Sequence, residues 1–271
     1  MVDNIIGRCK DGFENYSPKR VILIGNGAIE GGWAPLRDEL MKYSTGSVYE
    51  EVMSSCDYEN QIAGYLAQNV LSFHSIFFDT PIIEKDIAVR RELYLRTNEL
   101  IGNTFSKSTF RLRNEIDFIL RKIDDQTGVV VLNWDETIWK MKNDFPNVLH
   151  LHGRCSYPDT LILPTELTLE KYYLQNNTGL FVDSPDSLIA LRNVHSSAYN
   201  WIKYADEIIT WGINFNLYDS ELNILLESAC YGGTGCPKSV TNINPKKVTN
   251  ISVARLMNCK ITDVKVIIDQ K

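Results

Sequence analysis

A doubly wound parallel α/β fold is predicted from three observations on this 271-residue chain. Short, largely apolar runs stand at Val21–Ile24, Val129–Leu132, Val148–Leu151 and Glu207–Trp211, as expected of strands buried on both faces. Helical apolar spacing fills much of the chain between them, and strands alternating with helices imply a parallel sheet with crossover helices. Each run also ends in a polar or glycine-containing motif: Gly25-Asn26-Gly27, Asn133-Trp134-Asp135, His152-Gly153 and Gly212-Ile213-Asn214. Ligands of open parallel sheets bind outside the carboxyl ends of the strands. The expectation is therefore a Rossmann-like sheet whose polar strand ends converge on one site.

The elements follow in order. A polar leader precedes a strand over Arg20–Ile24, a glycine turn and a helix over about Pro35–Lys42. From about Tyr49 to Asp125 the chain reads as a mostly helical insertion: Tyr58–Phe73 has helical apolar spacing, and Ile83–Ile101 and Phe105–Ile123 mix Leu, Ile and Phe with many charges. Alternation resumes at Gly128 with a strand to Leu132, a helix over Glu136–Asn143, a strand to Leu151, a short apolar run over Leu161–Pro164 and a helix over Leu167–Gln175. A loop over Asn176–Pro185 leads to a long helix over Asp186–Tyr204, a strand over Glu207–Trp211 and a helix over Asp219–Ala229. The glycine-rich loop Gly232–Gly235, a strand over Ser239–Ile243 and a last strand-like element within Leu256–Ile268 complete the pattern. Residues 1–271 are read as a single domain carrying the insertion at about 49–125.

At 44% hydrophobic the chain can bury a substantial core. A net charge of -6 argues against a nucleic-acid backbone as the main partner, which needs a dominant basic surface. The basic excess between Lys85 and Lys122 includes Arg111 and Arg113 but is interleaved with Glu92, Glu99, Glu115 and Asp117, so it reads as a solvated helix face. The charged N-terminal stretch resembles neither a signal peptide nor a membrane span, and a cytoplasmic protein without membrane association is expected. Six scattered cysteines form no C-x-x-C pair, so they read as reduced thiols and no metal is expected. Tyr172-Tyr173, Phe181 and Tyr199 read as core or as a subunit contact.

The motifs carry chemistry by residue type. Gly25-Asn26-Gly27, followed by Gly31-Gly32, lets the backbone turn sharply and approach a pyrophosphate. The third glycine of the G-x-G-x-x-G fingerprint falls at Glu30, however, and glycine turns after strands often only close a turn. Asn133 and Asp135 stand where a strand hands over to a helix, so either could be a helix cap. His152 at a strand end fits a structural residue, and equally a general base, since imidazole titrates where a base is useful.

The order of these motifs, completed by Thr241-Asn242-Ile243-Asn244, resembles the sirtuin superfamily over Arg20 to Asn244. It is more similar to the short bacterial sirtuin-like domains of antiphage defence than to the protein deacetylases. The resemblance implies NAD as substrate and assigns Gly25, Gly27 and Ala28 to the diphosphate loop. It places Asn133 and Asp135 on the nicotinamide and ribose side, with His152 as the catalytic histidine. Gly212 and Asn214 would meet the second phosphate-ribose segment, and Asn242 or Asn244 the adenosine ribose. Asp219 matches the Asp of a Gly-x-Ser-(Leu)-x-Asp pattern, with Asn214 where Ser is usual and two extra residues before the Asp.

Two departures select the reaction. The chain lacks the paired C-x-x-C zinc module of the deacetylases, and Val131-Leu132 replaces the usual Thr-Gln before the catalytic Asn. The implied activity is a metal-free NAD glycohydrolase that releases nicotinamide and ADP-ribose through an oxocarbenium-like state. Such domains imply an abortive-infection effector, restrained by a regulatory protein partner from the same defence operon or by homo- or hetero-oligomer assembly. The alternatives are a catalytically silent NAD- or ADP-ribose-binding regulatory subunit and a sirtuin-type deacylase or ADP-ribosyltransferase. A dehydrogenase is disfavoured by the imperfect glycine fingerprint.

Overall fold

A computed structural model describes residues 7–10, 12–13, 15–42, 97–162, 185–215, 220–231, 237, 239–244, 250–260, 262 and 264–267. Their strands are β1 (Gly7–Arg8), β2 (Arg20–Ile24), β3 (Thr127–Val131), β4 (Val148–His150), β5 (Glu207–Trp211), β6 (Ser239–Ile243) and β7 (Val264–Ile267). Their helices are α1 (Ala34–Met41), α2 (97–107), α3 (Ile116–Leu120), α4 (Thr137–Lys140), α5 (Pro185–Tyr204), α6 (Ser220–Tyr231) and α7 (Asn250–Leu256). The strands form one seven-stranded sheet in the order β1-β4-β3-β2-β5-β6-β7. Every pairing is parallel except β1 with β4.

The alternation of side chains along each strand divides the core between the two faces. Val21, Leu23, Val130, Ile208 and Val240 pack with Val194, Ala198 and Trp201 of α5, Leu222 and Leu226 of α6, and Val253 of α7. Ile22, Ile24, Val129, Val131 and Ile209 face the other way, onto Ile119 of α3, Ile138 of α4 and Phe145. Both sets are buried, which is why these strands read as continuous apolar runs rather than alternating ones. Each buried aliphatic side chain contributes roughly 1.5–3 kcal/mol. Arg20 Nε donates to Glu207 Oε2 at 2.6 Å, tying the starts of β2 and β5 together.

Several expectations are corrected. The polar leader contains β1, where a Cβ on Gly7 would lie 2.5 Å from the Val148 carbonyl, so glycine permits the pairing. Arg8 anchors this edge by donating to the carbonyls of Phe145 and Trp139, each at 2.7 Å, bonds that no local pattern announces. The helix expected over Glu136–Asn143 stops at Lys140, because Met141 leaves helical geometry and the chain turns to bury Phe145. Within Phe105–Ile123 the helix ends at residue 107. Residues 111–113 instead run beside 28–30, with Glu30 N–H donating to the Arg111 carbonyl at 2.9 Å and Arg113 N–H to the Ala28 carbonyl at 3.0 Å. Among the described residues of 256–268, the strand is Val264–Ile267; Leu256 ends α7, and Asn258 closes that helix in the left-handed region. Residues 161–162 lie in no strand.

Of the stretch 49–125, the part up to 96 lies outside the described residues, as do Leu167–Gln175, Gly232–Gly235, Tyr172, Tyr173, Phe181 and Asp219. Among the described residues no helix is long and apolar enough to cross a membrane. Among the described residues Cys155 is joined in no disulfide.

Candidate functional site

Strand register sets the site. Ile24 lies level with Val131 and Trp211, Val131 with His150, and Trp211 with Ile243. The segments beginning at Gly25, Leu132, Leu151, Gly212 and Asn244 therefore leave the sheet along one edge. The strand order runs outward from β2 in both directions, β3 and β4 to one side and β5 to β7 to the other. A crevice at the carboxyl ends of β2 and β5 follows from that reversal.

The glycines at this point interlock. Gly25 N–H donates to the Trp211 carbonyl and Gly27 N–H to the Gly212 carbonyl, both at 2.8 Å. A Cβ on Gly212 would fall 2.1 Å from the Ala28 nitrogen, and Gly212 has φ +69, where side chains are strained. Cβ atoms on Gly25 and Gly27 would lie 2.6 and 2.8 Å from the Gly212 carbonyl oxygen. Glycine is thus required here by backbone meeting backbone. Ala28 N–H and Ile29 N–H donate to the Gly25 and Asn26 carbonyls, each at 3.0 Å, within the short 3-10 turn Asn26–Ala28. Of the amides from 25 to 29, Asn26 alone has no protein acceptor among the described residues. The Asn26 side chain lies over Gly32, whose Cβ would stand 2.4 Å from Asn26 Oδ1.

The ends of β3 and β4 are built differently. His152 Nδ1 lies 3.1 Å from the Leu132 carbonyl and His150 Nδ1 3.4 Å from the Asn133 carbonyl. A carbonyl only accepts, so each Nδ1 carries the proton and each neutral ring presents a lone pair at Nε2. Neither Nε2 has a partner among the described residues, and both rings are buried. Burial, with His195 nearby, pushes His152 down to about 4; burial, with the Arg154 guanidinium nearby, pushes His150 down to about 3. Both rings are therefore neutral at pH 7. Asn133 is 6% exposed, and neither its Oδ1 nor its Nδ2 has a partner among the described residues.

Asp135 separates from Asn133 in role. Its Oδ1 accepts the Thr137 N–H at 2.8 Å, so it satisfies the first turn of α4 as a helix cap would. Burial raises its pKa, with the Thr137 contacts opposing that shift. Gly153, at φ +79 with its Cβ position only 2.2 Å from the Thr160 carbonyl, permits the tight turn after His152. Arg154 is buried, 3.2 Å from Glu136 Oε1, with its guanidinium 3.7 Å from the Trp139 ring centroid, and so braces the same turn.

Across the crevice, Asn244 Nδ2 donates to the Ile213 carbonyl at 2.7 Å and holds the loop after β5. Asn242 Oδ1 accepts from Thr210 Oγ1 at 2.8 Å, and its buried Nδ2 has no partner among the described residues. Asn214 is half-buried in the same loop. Phe215 beside it is held at φ 54, a conformation uncommon for a bulky side chain and a signature of a constrained loop.

Trp33 and Trp134 meet edge to face at 5.4 Å, and Phe105 of α2 lies against Trp134 at 6.2 Å. Gly102 lets α2 approach the Cys155 carbonyl, its Cβ position being 2.8 Å away. Cys155 is buried, which pushes its thiol up to about 11, so it offers no thiolate nucleophile. Sequence reasoning missed His150, Arg154, Trp33, Asn98 and Arg113. The pattern His-x-His before Gly153 was a signal for His150. Asn98 is 1% exposed with both amide atoms unpartnered, and nothing local marks it. Arg113, read as part of a solvated face, donates from Nε to the Gly27 carbonyl at 2.8 Å. Among the described residues no group of three or more His, Cys, Asp or Glu side chains could hold a metal ion. No family model matches the chain, and no curated protein matches it.

Proposed function

We propose that the chain is an NAD glycohydrolase on a Rossmann-like sheet, cleaving NAD to nicotinamide and ADP-ribose. The observation that carries this reading is a pair of buried, unpartnered polar groups at neighbouring strand ends, the Asn133 amide and His152 Nε2. The His152 ring rests on the carbonyl of the residue before Asn133, so the two belong to one corner. Buried polar groups without partners cost stability, roughly 1–3 kcal/mol each, and a ligand or water that meets them recovers it.

The chemistry suits these residue types. Water adds to C1′ of the nicotinamide ribose as the C–N bond breaks, nicotinamide leaves as a neutral molecule with the bonding pair, and the water proton passes to His152 Nε2 and then to solvent. The transition state is oxocarbenium-like, so the water needs little activation and a neutral, weakly basic imidazole suffices. Asn133 orients that water or the ribose hydroxyls. Asp135 holds the loop through Thr137. Gly25, Gly27, Ala28, Gly212 and Asn214 line the diphosphate crevice, and Asn242 and Asn244 face the adenosine end.

In this reading the protein acts in the cytoplasm as an antiphage effector that depletes NAD. A regulatory protein partner from the same defence operon, or assembly into an oligomer, keeps it silent until infection. The test is nicotinamide and ADP-ribose release by the purified chain beside Asn133→Ala and His152→Ala, with NAD binding followed in parallel. Release should fall by about a hundredfold or more in both, the size of effect expected for a lost orienting or base group. Full cleavage by both variants would overturn the assignment. Binding without release, with or without candidate partners, would favour the silent NAD- or ADP-ribose-binding subunit. Product that requires an added acyl-peptide or protein would favour the deacylase or ADP-ribosyltransferase.

A further inference from the structure

We propose that Arg113 is the residue that binds the diphosphate of the dinucleotide, a role that rests on the NAD reading above. In phosphate-binding glycine turns the usual donors are free backbone amides at a helix start. Here the amides of Gly25, Gly27, Ala28 and Ile29 all donate to protein carbonyls, which leaves Asn26 N–H as the loop's own donor. A doubly charged diphosphate placed there needs another source of positive charge, in a chain whose net charge is -6.

Arg113 is fastened to the loop by two bonds. Its N–H donates to the Ala28 carbonyl at 3.0 Å and its Nε to the Gly27 carbonyl at 2.8 Å. The guanidinium is thereby held against the turn, half-buried, with its two terminal amino groups unengaged and no carboxylate paired to it among the described residues. Its neighbour Arg111 lies 3.9 Å from Glu30, whereas Arg113 keeps its charge available. A planar guanidinium with one edge fixed and terminal N–H groups open is suited to paired hydrogen bonds to phosphate oxygens. The segment that carries it, residues 111–113, lies within the stretch expected as an insertion. Charge for the ligand's phosphates therefore comes from outside the strand-end motifs.

The experiment compares wild type, Arg113→Gln and Arg113→Lys by calorimetric titration with NAD, ADP-ribose, inorganic pyrophosphate and nicotinamide riboside. Arg113→Gln should weaken NAD, ADP-ribose and pyrophosphate by about tenfold or more, the loss expected for one charge-assisted hydrogen-bond pair. Arg113→Lys should recover part of it, and nicotinamide riboside, which has no diphosphate, should bind all three proteins alike. Equal NAD affinity in wild type and Arg113→Gln would overturn the proposal. So would an equal loss for nicotinamide riboside, because that pattern means a disordered loop. Wild type that binds pyrophosphate but not NAD, with Arg113→Gln binding neither, would retain the anion site and reject the NAD reading. Wild type that binds neither would reject both.

Discussion

The two halves of the strand-end edge are finished in opposite ways. Where β2 meets β5, glycines 25, 27 and 212 bring backbone against backbone, and nearly every amide of the turn has an acceptor. Where β3 meets β4, the Asn133 amide and the Nε2 atoms of His150 and His152 are buried without partners. Buried polar atoms in native proteins are ordinarily satisfied, and in the proposed reading these three side chains are where the substrate meets the protein. The first half is a scaffold of interlocked backbone in which, among the described residues, only the Asn26 amide of the turn is left open. The second keeps three buried polar side chains with unpartnered atoms among the described residues.

That contrast can be broken experimentally. Its largest expected effect is at Asn133: replacement by Ala should cost the proposed NAD cleavage about a hundredfold or more without destabilising the fold, because no protein bond among the described residues is lost. A large drop in melting temperature would show that Asn133 serves the fold instead. Gly212→Ala should do the reverse and destabilise by about 3 kcal/mol, since it adds a Cβ at positive φ into the Ala28 backbone. Denaturant titration of that variant with an unchanged midpoint would mean the loops are not interlocked.

Acid should find the β3–β4 half next. The folded-state pKa values of His150 and His152 lie below the ordinary value of 6.5, at about 3 and about 4, so protonation favours the unfolded chain. Their contribution is fully present above pH 6.5 and is lost as the pH falls toward 4. Each ring adds a slope of up to about 1.4 kcal/mol per pH unit in that window. Melting temperatures measured from pH 7.5 to 4.5 should fall, and His150→Gln should flatten part of the decline. The smallest effect is at Asp135, where replacement by Ala should cost about 1 kcal/mol through the lost bond to Thr137 N–H, with Asp135→Asn retaining most of it. Chemical denaturation of both variants separates that role from a direct one in catalysis.

Much of the frame was legible in the chain. β2, β3 and β5 are runs that only a sheet covered on both faces buries, and the long helix α5 matches its predicted span to one residue. The edge strand β1 was not, because two residues carry no periodicity and depend on the bonds of Arg8 to distant carbonyls. At the site, the motifs were visible but their division of labour was not. Asn133 and Asp135 look equivalent as strand-to-helix caps, and only the Thr137 bond shows that Asp135 holds the start of α4.

The sequence by itself determined that this is an α/β protein with polar residues stationed after its buried strands, because burial on both faces demands continuous apolar runs and glycine or polar residues must end them. Tertiary structure alone decided which of those residues remain unpartnered, why three glycines are indispensable, and that Arg113 leaves its predicted helix face to bond the Gly27 carbonyl. The physical reason is range. Strand burial is written in neighbouring residues, whereas hydrogen-bond satisfaction and close backbone approach are settled between segments far apart in the chain.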